Sequence, residues 1–340
     1  MCATLAELWA TALSAPAADD AFKRELANQV KTLSAQKVAA VSGVGGWLFL
    51  TDELRFLSVG QFWGDTAANV SRSTNPAAMD PFVAIVDFNK QLQARGVHLL
   101  LVPVPPKIAI YPERLFPSFD SKPEDLGADL QTFYRQLEKA GVEVVDLLPL
   151  FYSERTDERG PLYCRTDSHW SGLGCVLAAK AIADHVRSQL KTKSSPDDYL
   201  VSWNEITIAG DLVGLLPESS PRPEPEKISV RQVKTAAVGT VIEPDNNSPL
   251  LVIGDSHTLV FHDFLAADAG LLDQLTLELG VRPDLIGTRG SGATPVRVSL
   301  YRRSIKDPEY LSRKKVVVWC FGAREFTEAA QGWQLLPVTK

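Results

Sequence analysis

Residues 249–258, PLLVIGDSHT, carry the reading of the fold. The run from 250 to 254 is short, apolar and branched, as a strand buried on both faces requires. Gly254, Asp255 and Ser256 follow at its carboxyl end, which is where open α/β sheets bind their ligands. A serine at a strand-to-helix turn presents its hydroxyl outward. The spacing predicts a helix over about 257–269, whose first N–H groups would point at the same place and stabilise an oxyanion. Gly254 allows close backbone approach there. The same residues would also serve as a plain helix cap, and the GDS tripeptide alone favours that reading.

Outward from this stretch the chain alternates helix and buried strand. Residues 80–96 read as an amphipathic helix ended by Gly96, followed by the strand HLLLVPVP at 98–105. A helix over about 124–140 ends at Gly141 and leads into VEVVDL. Residues 171–190 form a helix with Leu173, Val176, Leu177 and Ala181 on one face. Further core segments are 279–292 and the final apolar run KKVVVWCFG at 314–322. This is the pattern of an α/β protein with a mostly parallel sheet covered on both faces. Residues 1–40 read as an N-terminal helical segment and 41–340 as one catalytic domain. Within it, the Pro-rich stretch at about 193–249 reads as a loop-rich insertion with a few short strands.

Composition narrows the function. With 45% hydrophobic residues in 340, the chain has material for a full core. A net charge of −6 argues against a general nucleic-acid binder. No apolar run reaches the roughly 18 residues of a membrane span. The first twenty residues lack a basic segment and carry Glu7, so they read poorly as a signal peptide. Cys2, Cys164, Cys175 and Cys320 include no CxxC pair, which argues against a zinc ribbon or dithiol site. One disulfide stays open, with Cys320 in VVVWCF expected to be a buried small hydrophobe.

The second motif is RTDSHW, residues 165–170. A serine nucleophile needs a base, and the base needs an orienting acceptor. Asp167 and His169 are two positions apart and share a side of an extended segment. Asp167 can hold one imidazole nitrogen while the other faces Ser256. The plainer reading makes Asp167 or Ser168 a helix cap and His169 a packed side chain; the presence of both motifs favours the triad. A metal site from His257, His262, Asp255, Asp263 and His169 is an outside reading, because no HExxH-type spacing occurs. His98 and His185 read as structural or exposed. Trp170, Trp47 and Trp63 are candidates for a sugar-stacking platform, with core packing the plainer role for Trp47. Arg72, Arg165, Arg289, Arg297 and Arg324 are candidates for binding a charged glycan, Arg324 foremost, although each singly reads as a surface or salt-bridge arginine.

These residues resemble the SGNH-hydrolase-like domains of the alginate O-acetyltransferase proteins AlgJ and AlgX. The matches are GVGGWLFL at 43–50, DSHW at 167–170, VIGDSHT at 252–258 and the trailing VVVWCFGAREF at 316–326. Together they span roughly 40–330. The resemblance implies an SGNH-hydrolase-like three-layer sandwich with circularly permuted motif order, since DxH precedes the serine. It implies Ser256 as nucleophile, His169 as base and Asp167 as its partner. The GTRGSGA segment would correspond to the Gly block, with Gly290 adding to the oxyanion hole; no clear Asn block is found. Arg324 and Trp170 are the remaining substrate-site candidates. The implied activity is O-acetyl transfer to an exopolysaccharide through an acetyl-serine, in the periplasm. No cofactor is expected, and the acetyl donor would come from a membrane-bound O-acyltransferase partner. A carbohydrate acetylesterase with the same triad, or a non-catalytic glycan-binding assembly protein, stays open at this point.

Overall fold

The computed structural model describes residues 17–117, 126–191, 195–237 and 239–340. Helix α1 (Ala17–Ala35) places Phe22, Leu26, Val30 and Leu33 on one buried stripe, all within the main core. Strands β1 (Ala40–Ser42) and β2 (Leu48–Leu50) form a small hairpin, and α2 (Thr51–Ser58) follows at once. Helix α3 (Pro81–Gln93) starts with Asp80 capping the Phe82 N–H and Pro81 in the first turn. It leads into β3 (His98–Val104). Then come α4 (Ala128–Lys139), the two-residue β4 (Glu143–Val144), α5 (Leu147–Glu154) and α6 (Gly172–Val186).

The segment expected to be loop-rich contains two ten-residue strands, β5 (Tyr199–Ile208) and β6 (Glu226–Thr235), paired antiparallel along their whole length. Strand β6 lies against the body and buries Ile228, Val230 and Val233. Strand β5 stays outside, with Leu200, Val201 and Trp203 exposed.

The central sheet has five parallel strands in the order β4-β3-β9-β7-β8. Its later members are β7 (Leu250–Gly254), β8 (Asp284–Gly287) and β9 (Val316–Gly322), with α7 (Leu271–Leu279) and α8 (Thr294–Lys306) as the connecting helices. Strand β9 is buried at every position and pairs with β3 on one side and β7 on the other. Its alternate residues sort the layers. Trp319 meets Phe88 of α3 and lies under the Arg297 guanidinium of α8, whereas Cys320 shares the opposite face with Cys175 of α6. This is the three-layer α/β sandwich expected, with helices on both faces of a parallel sheet. Cys164, Cys175 and Cys320 are free thiols, all buried. Among the described residues, no helix is long and apolar enough to cross a membrane.

Candidate active site

The site forms at the carboxyl end of β7. A Cβ on Gly254 would sit 1.8 Å from the Cys320 carbonyl oxygen, so the close approach of β7 and β9 requires glycine there. The chain turns immediately. Asp255 accepts the His257 N–H at 2.9 Å and caps a single 3-10 turn, Ser256–Thr258. Ser256 is half-buried at the rim of this turn.

His169 arrives from a tight loop before α6. Tyr163 and Trp170 pair as an antiparallel bridge, and the Cys164 N–H donates to the His169 carbonyl. The enclosed turn folds Asp167 back on His169. The Asp167 carboxylate lies 2.6 Å from Nδ1 of His169 and accepts its backbone N–H at 3.1 Å. Nε2 of His169 lies 2.7 Å from Oγ of Ser256. The three residues chosen from the sequence are therefore joined in one relay. A proton on Nδ1, held by Asp167, leaves Nε2 free to accept from the serine. Burial pushes the Asp167 carboxyl up, but the His169 ring and the N–H groups of Asp211 and His169 outweigh it and hold it well below the usual carboxylate range.

Several supporting residues carry no motif. Asp211 donates its N–H to the second Asp167 oxygen at 2.9 Å, and its own carboxylate accepts Ser168 N–H and Oγ at 2.7 and 2.6 Å. A Cβ on Gly210 would lie 2.1 Å from the Thr166 carbonyl and 2.5 Å from the Asp167 nitrogen, so only glycine lets this turn close on the loop. Glu226, at the start of β6, accepts the N–H groups of Arg165 and Thr166. Buried Lys107 donates to the Asp167 carbonyl at 2.6 Å and to the Leu48 carbonyl at 2.9 Å. The inserted ribbon thus supplies much of the frame around the acid-base pair.

Behind the serine, Asp255 is fully buried and accepts the Gly322 N–H at 2.7 Å. Burial raises its pKa, but the charges of His257 and Arg324 and these hydrogen bonds bring it down to about 2. Glu325, next in the chain after Arg324, accepts a hydrogen bond from Ser291 of the 288–292 loop. Burial pushes the Glu325 carboxyl up to about 7 against the pull of Arg324 and Ser291.

Three expectations are revised, and one outside reading is set aside. The helix over 257–269 does not form. After the 3-10 turn the chain is irregular to Gly270, with Phe261, Leu265 and Asp268 each at φ +64. Helix α7 begins only at Leu271. Local hydrogen bonds replace the helical ladder there: Phe261 N–H to the Phe264 carbonyl, Ala269 N–H to the Phe261 carbonyl, and His262 to Asp273.

Trp170 is not a sugar platform. It is fully buried, edge-on to His257 at 5.2 Å, and Trp47 and Trp63 are likewise buried in the core. Arg324 is no surface glycan contact, because its side chain is folded against Gly322 and paired with Glu53 at 3.5 Å behind the nucleophile turn. The metal set built on His257 and His262 is not assembled, since these rings pair separately with Asp255 and Asp273. Instead Asp167, His169 and Asp211 bring ligand-type atoms within 4.8 Å of one another. The hydrogen bonds described above join all three.

Gly290 lies in the expected loop, exposed and at φ +108. Gly292 is the glycine pressed against the nucleophile turn, where a Cβ would be 3.0 Å from the Asp255 nitrogen and 2.7 Å from Cβ of Phe321. His98 and His185 both reach Glu143, at 3.0 and 2.7 Å, as structural histidines.

The described atoms can do acyl chemistry. A hydroxyl, an imidazole and an ionised carboxylate are aligned, and the serine is open to solvent on one side. A surface depression of about 610 Å³, lined by Tyr199, Ile242 and Arg282 among others, includes no triad residue.

Residues 40–276 match the family model described as "SGNH hydrolase-like domain, acetyltransferase AlgX". A probable alginate O-acetylase AlgJ of Pseudomonas syringae pv. tomato is 26% identical over 306 residues, covering 86% of this chain and 71% of that protein. The Pseudomonas putida protein of the same description is 29% identical over 245 residues, covering 68% of this chain and 60% of that one. Among solved structures, the O-acetyltransferase domain of Pseudomonas putida AlgJ superposes with a TM-score of 0.62 at 23% identity, over 85% of this chain and 92% of that one. Pseudomonas aeruginosa AlgX gives a TM-score of 0.57 at 15% identity, over 83% and 61%. These superpositions speak to the fold.

Proposed function

The chain belongs to the family of SGNH-hydrolase-like domains of the acetyltransferase AlgX, and on that premise we propose that it transfers acetyl groups to hydroxyls of an exopolysaccharide through an acetyl-Ser256 intermediate. The observation that carries this is the hydrogen-bonded relay Asp167–His169–Ser256. Ser256 Oγ attacks the acetyl carbonyl carbon of the donor while Nε2 of His169 takes its proton. The leaving group departs with that proton, and acetyl-Ser256 remains. A sugar hydroxyl then attacks the acetyl carbon, His169 again takes the proton, and it returns that proton to Ser256 Oγ as the ester bond to the enzyme breaks. Asp167 stays ionised and steadies the imidazolium in both steps. The Ser256 N–H, with donors from the 288–292 loop, holds the oxyanion.

The relatives' names point to alginate or a similar polymer as acceptor. No cofactor is needed. By the family resemblance, the donor comes from a partner, a membrane-bound O-acyltransferase, and the reaction runs in the periplasm. Solvent access at half-buried Ser256 favours a second reading, in which water takes the acetyl group and the enzyme is an esterase.

One experiment tests both readings: incubation with a chromogenic acetyl ester, with and without an oligosaccharide acceptor, followed by mass analysis of the peptide bearing Ser256. The expected result is an acetyl increment on that peptide and an acetylated acceptor. Ser256→Ala should lose both, with kcat falling by about three orders of magnitude or more. Activity that survives the substitution, or that vanishes with a chelator, overturns the triad.

A further inference from the structure

Phe264 rests against His169 and carries Arg289 on its ring, and neither side chain has a role in the chemistry above. The five arginines considered from the sequence separate cleanly. Arg72 pairs with Glu328 at 3.1 Å and Arg165 with Glu226 at 3.2 Å. Arg297 is 2% exposed, packed on Trp319. Arg324 is folded behind the nucleophile turn against Glu53. Arg72, Arg165 and Arg289 are exposed, and of these three Arg289 is the one that, among the described residues, pairs with no carboxylate. It lies in the loop after β8, one residue before Gly290. Its guanidinium carbon sits 4.5 Å over the ring of Phe264. The same ring meets the His169 imidazole edge-on, 5.6 Å between centroids. A free cation is therefore held one aromatic ring away from the base of the triad.

The backbone presents Phe264 deliberately. Phe261 and Leu265, on either side of it, both have left-handed φ, a conformation that β-carbon sterics disfavour. Such strain persists where the surroundings fix it and concentrates at functional sites. Here Val260 and Phe264 bridge, Phe261 N–H donates to the Phe264 carbonyl at 2.8 Å, and Val233 N–H reaches the Asp268 carbonyl at 2.7 Å. A guanidinium that rests on an aromatic ring by cation–π attraction, with no carboxylate beside it, still has N–H groups to give to a planar anion.

We propose that Arg289, carried on Phe264, is the specificity-determining residue that selects the acceptor by charge, binding a carboxylate of the sugar unit at or next to the one being acetylated. The proposal rests on the acetyl-Ser256 reading. It adds the residue that makes the site prefer a carboxylated glycan over a neutral one, by a forked pair of charge-assisted hydrogen bonds. Phe264 positions the guanidinium and closes the side of the cleft next to His169.

The test compares an acidic oligosaccharide with the same oligosaccharide after reduction of its carboxyls to alcohols, both offered to enzyme charged from an acetyl ester. Wild-type enzyme should show at least about a tenfold preference in kcat/KM for the acidic acceptor, the worth of one charge-assisted contact. Arg289→Ala should bring that ratio to near one, Arg289→Lys should keep part of it, and added salt should lower it in the wild type. Independently of any variant, free glucuronate should inhibit transfer competitively where glucose does not.

Equal use of both acceptors by the wild type, or a ratio unchanged in Arg289→Ala, overturns the proposal. So does loss of acetyl-Ser256 formation in Arg289→Ala, which would give Arg289 to the oxyanion instead. If wild-type enzyme forms no acetyl-Ser256 at all, the failure belongs to the nucleophile reading, and it is seen before any acceptor is compared.

Discussion

Buried carboxylates near the site titrate in opposite senses. Asp255 is held down at about 2 and Asp167 below its usual range, both against the cost of burial. Each contributes stability that is present above the ordinary carboxylate pKa and is lost as pH falls through its lowered folded value. Glu325 behaves the other way. Burial raises it from 4.5 to about 7, so its contribution is complete below about pH 4.5 and is lost as pH rises through 7. The full effect of that shift is as much as about 3 kcal/mol once the group is ionised. Thermal melts of Glu325→Gln against the parent across pH 5–8 should show it: the parent loses stability relative to the variant as pH rises. Parallel curves would refute the assignment. At this scale Ser256, His169 and Asp167 were legible because their signals are local, a strand end and an i, i+2 pair. Asp211, Glu226 and Lys107 were not. Each side chain bonds to a backbone group 43 to 60 residues away, and a contact with a peptide group leaves no side-chain pattern to read.

Elements show where periodicity misleads. The apolar spacing after Ser256 reads as helix, yet three left-handed residues and three local hydrogen bonds make a shaped loop there. The Pro-rich stretch before β7 reads as loop because its ends and its middle are rich in Pro, Asp and Asn or in Pro, Ser and Glu. Between those segments lie two strands of ten residues, and β5 keeps one edge and most of its side chains in solvent. An edge strand so exposed shows little inward-outward contrast for a sequence pattern to report. The turn between the two strands is nevertheless part of the site's frame. Gly210→Ala puts a carbon where Thr166 and Asp167 already have backbone atoms. It should cost about 2 kcal/mol or more in a denaturant melt and lower ester turnover by at least about tenfold, because the loop carrying Asp167 and His169 must give way. Unchanged turnover would separate the ribbon from the site.

The whole molecule is held together by its sheet order. The loop of Asp167 and His169 is tied to β3, through the contact of the Asp167 carbonyl with Lys107 just beyond that strand, and Ser256 follows β7. Strand β9 is the piece that joins β3 to β7. The parallel order was legible from the alternation of buried runs and helices; the central place of the last run was not, because apolar strands look alike in sequence whichever neighbours they take. Deleting residues 316–340 should abolish the cooperative melting transition and leave insoluble protein; a soluble product with ester activity would contradict the arrangement. The position of β9 also has a temporal meaning. A chain synthesised from its amino end makes β3, β4, β7 and β8 first, and the strand that separates and orders them comes after all of these. Serine and imidazole, 87 residues apart, have no shared platform until then. A centre wired this way stays chemically silent in a chain made only as far as β8, and its first turnover reports that β9 has been laid between its neighbours.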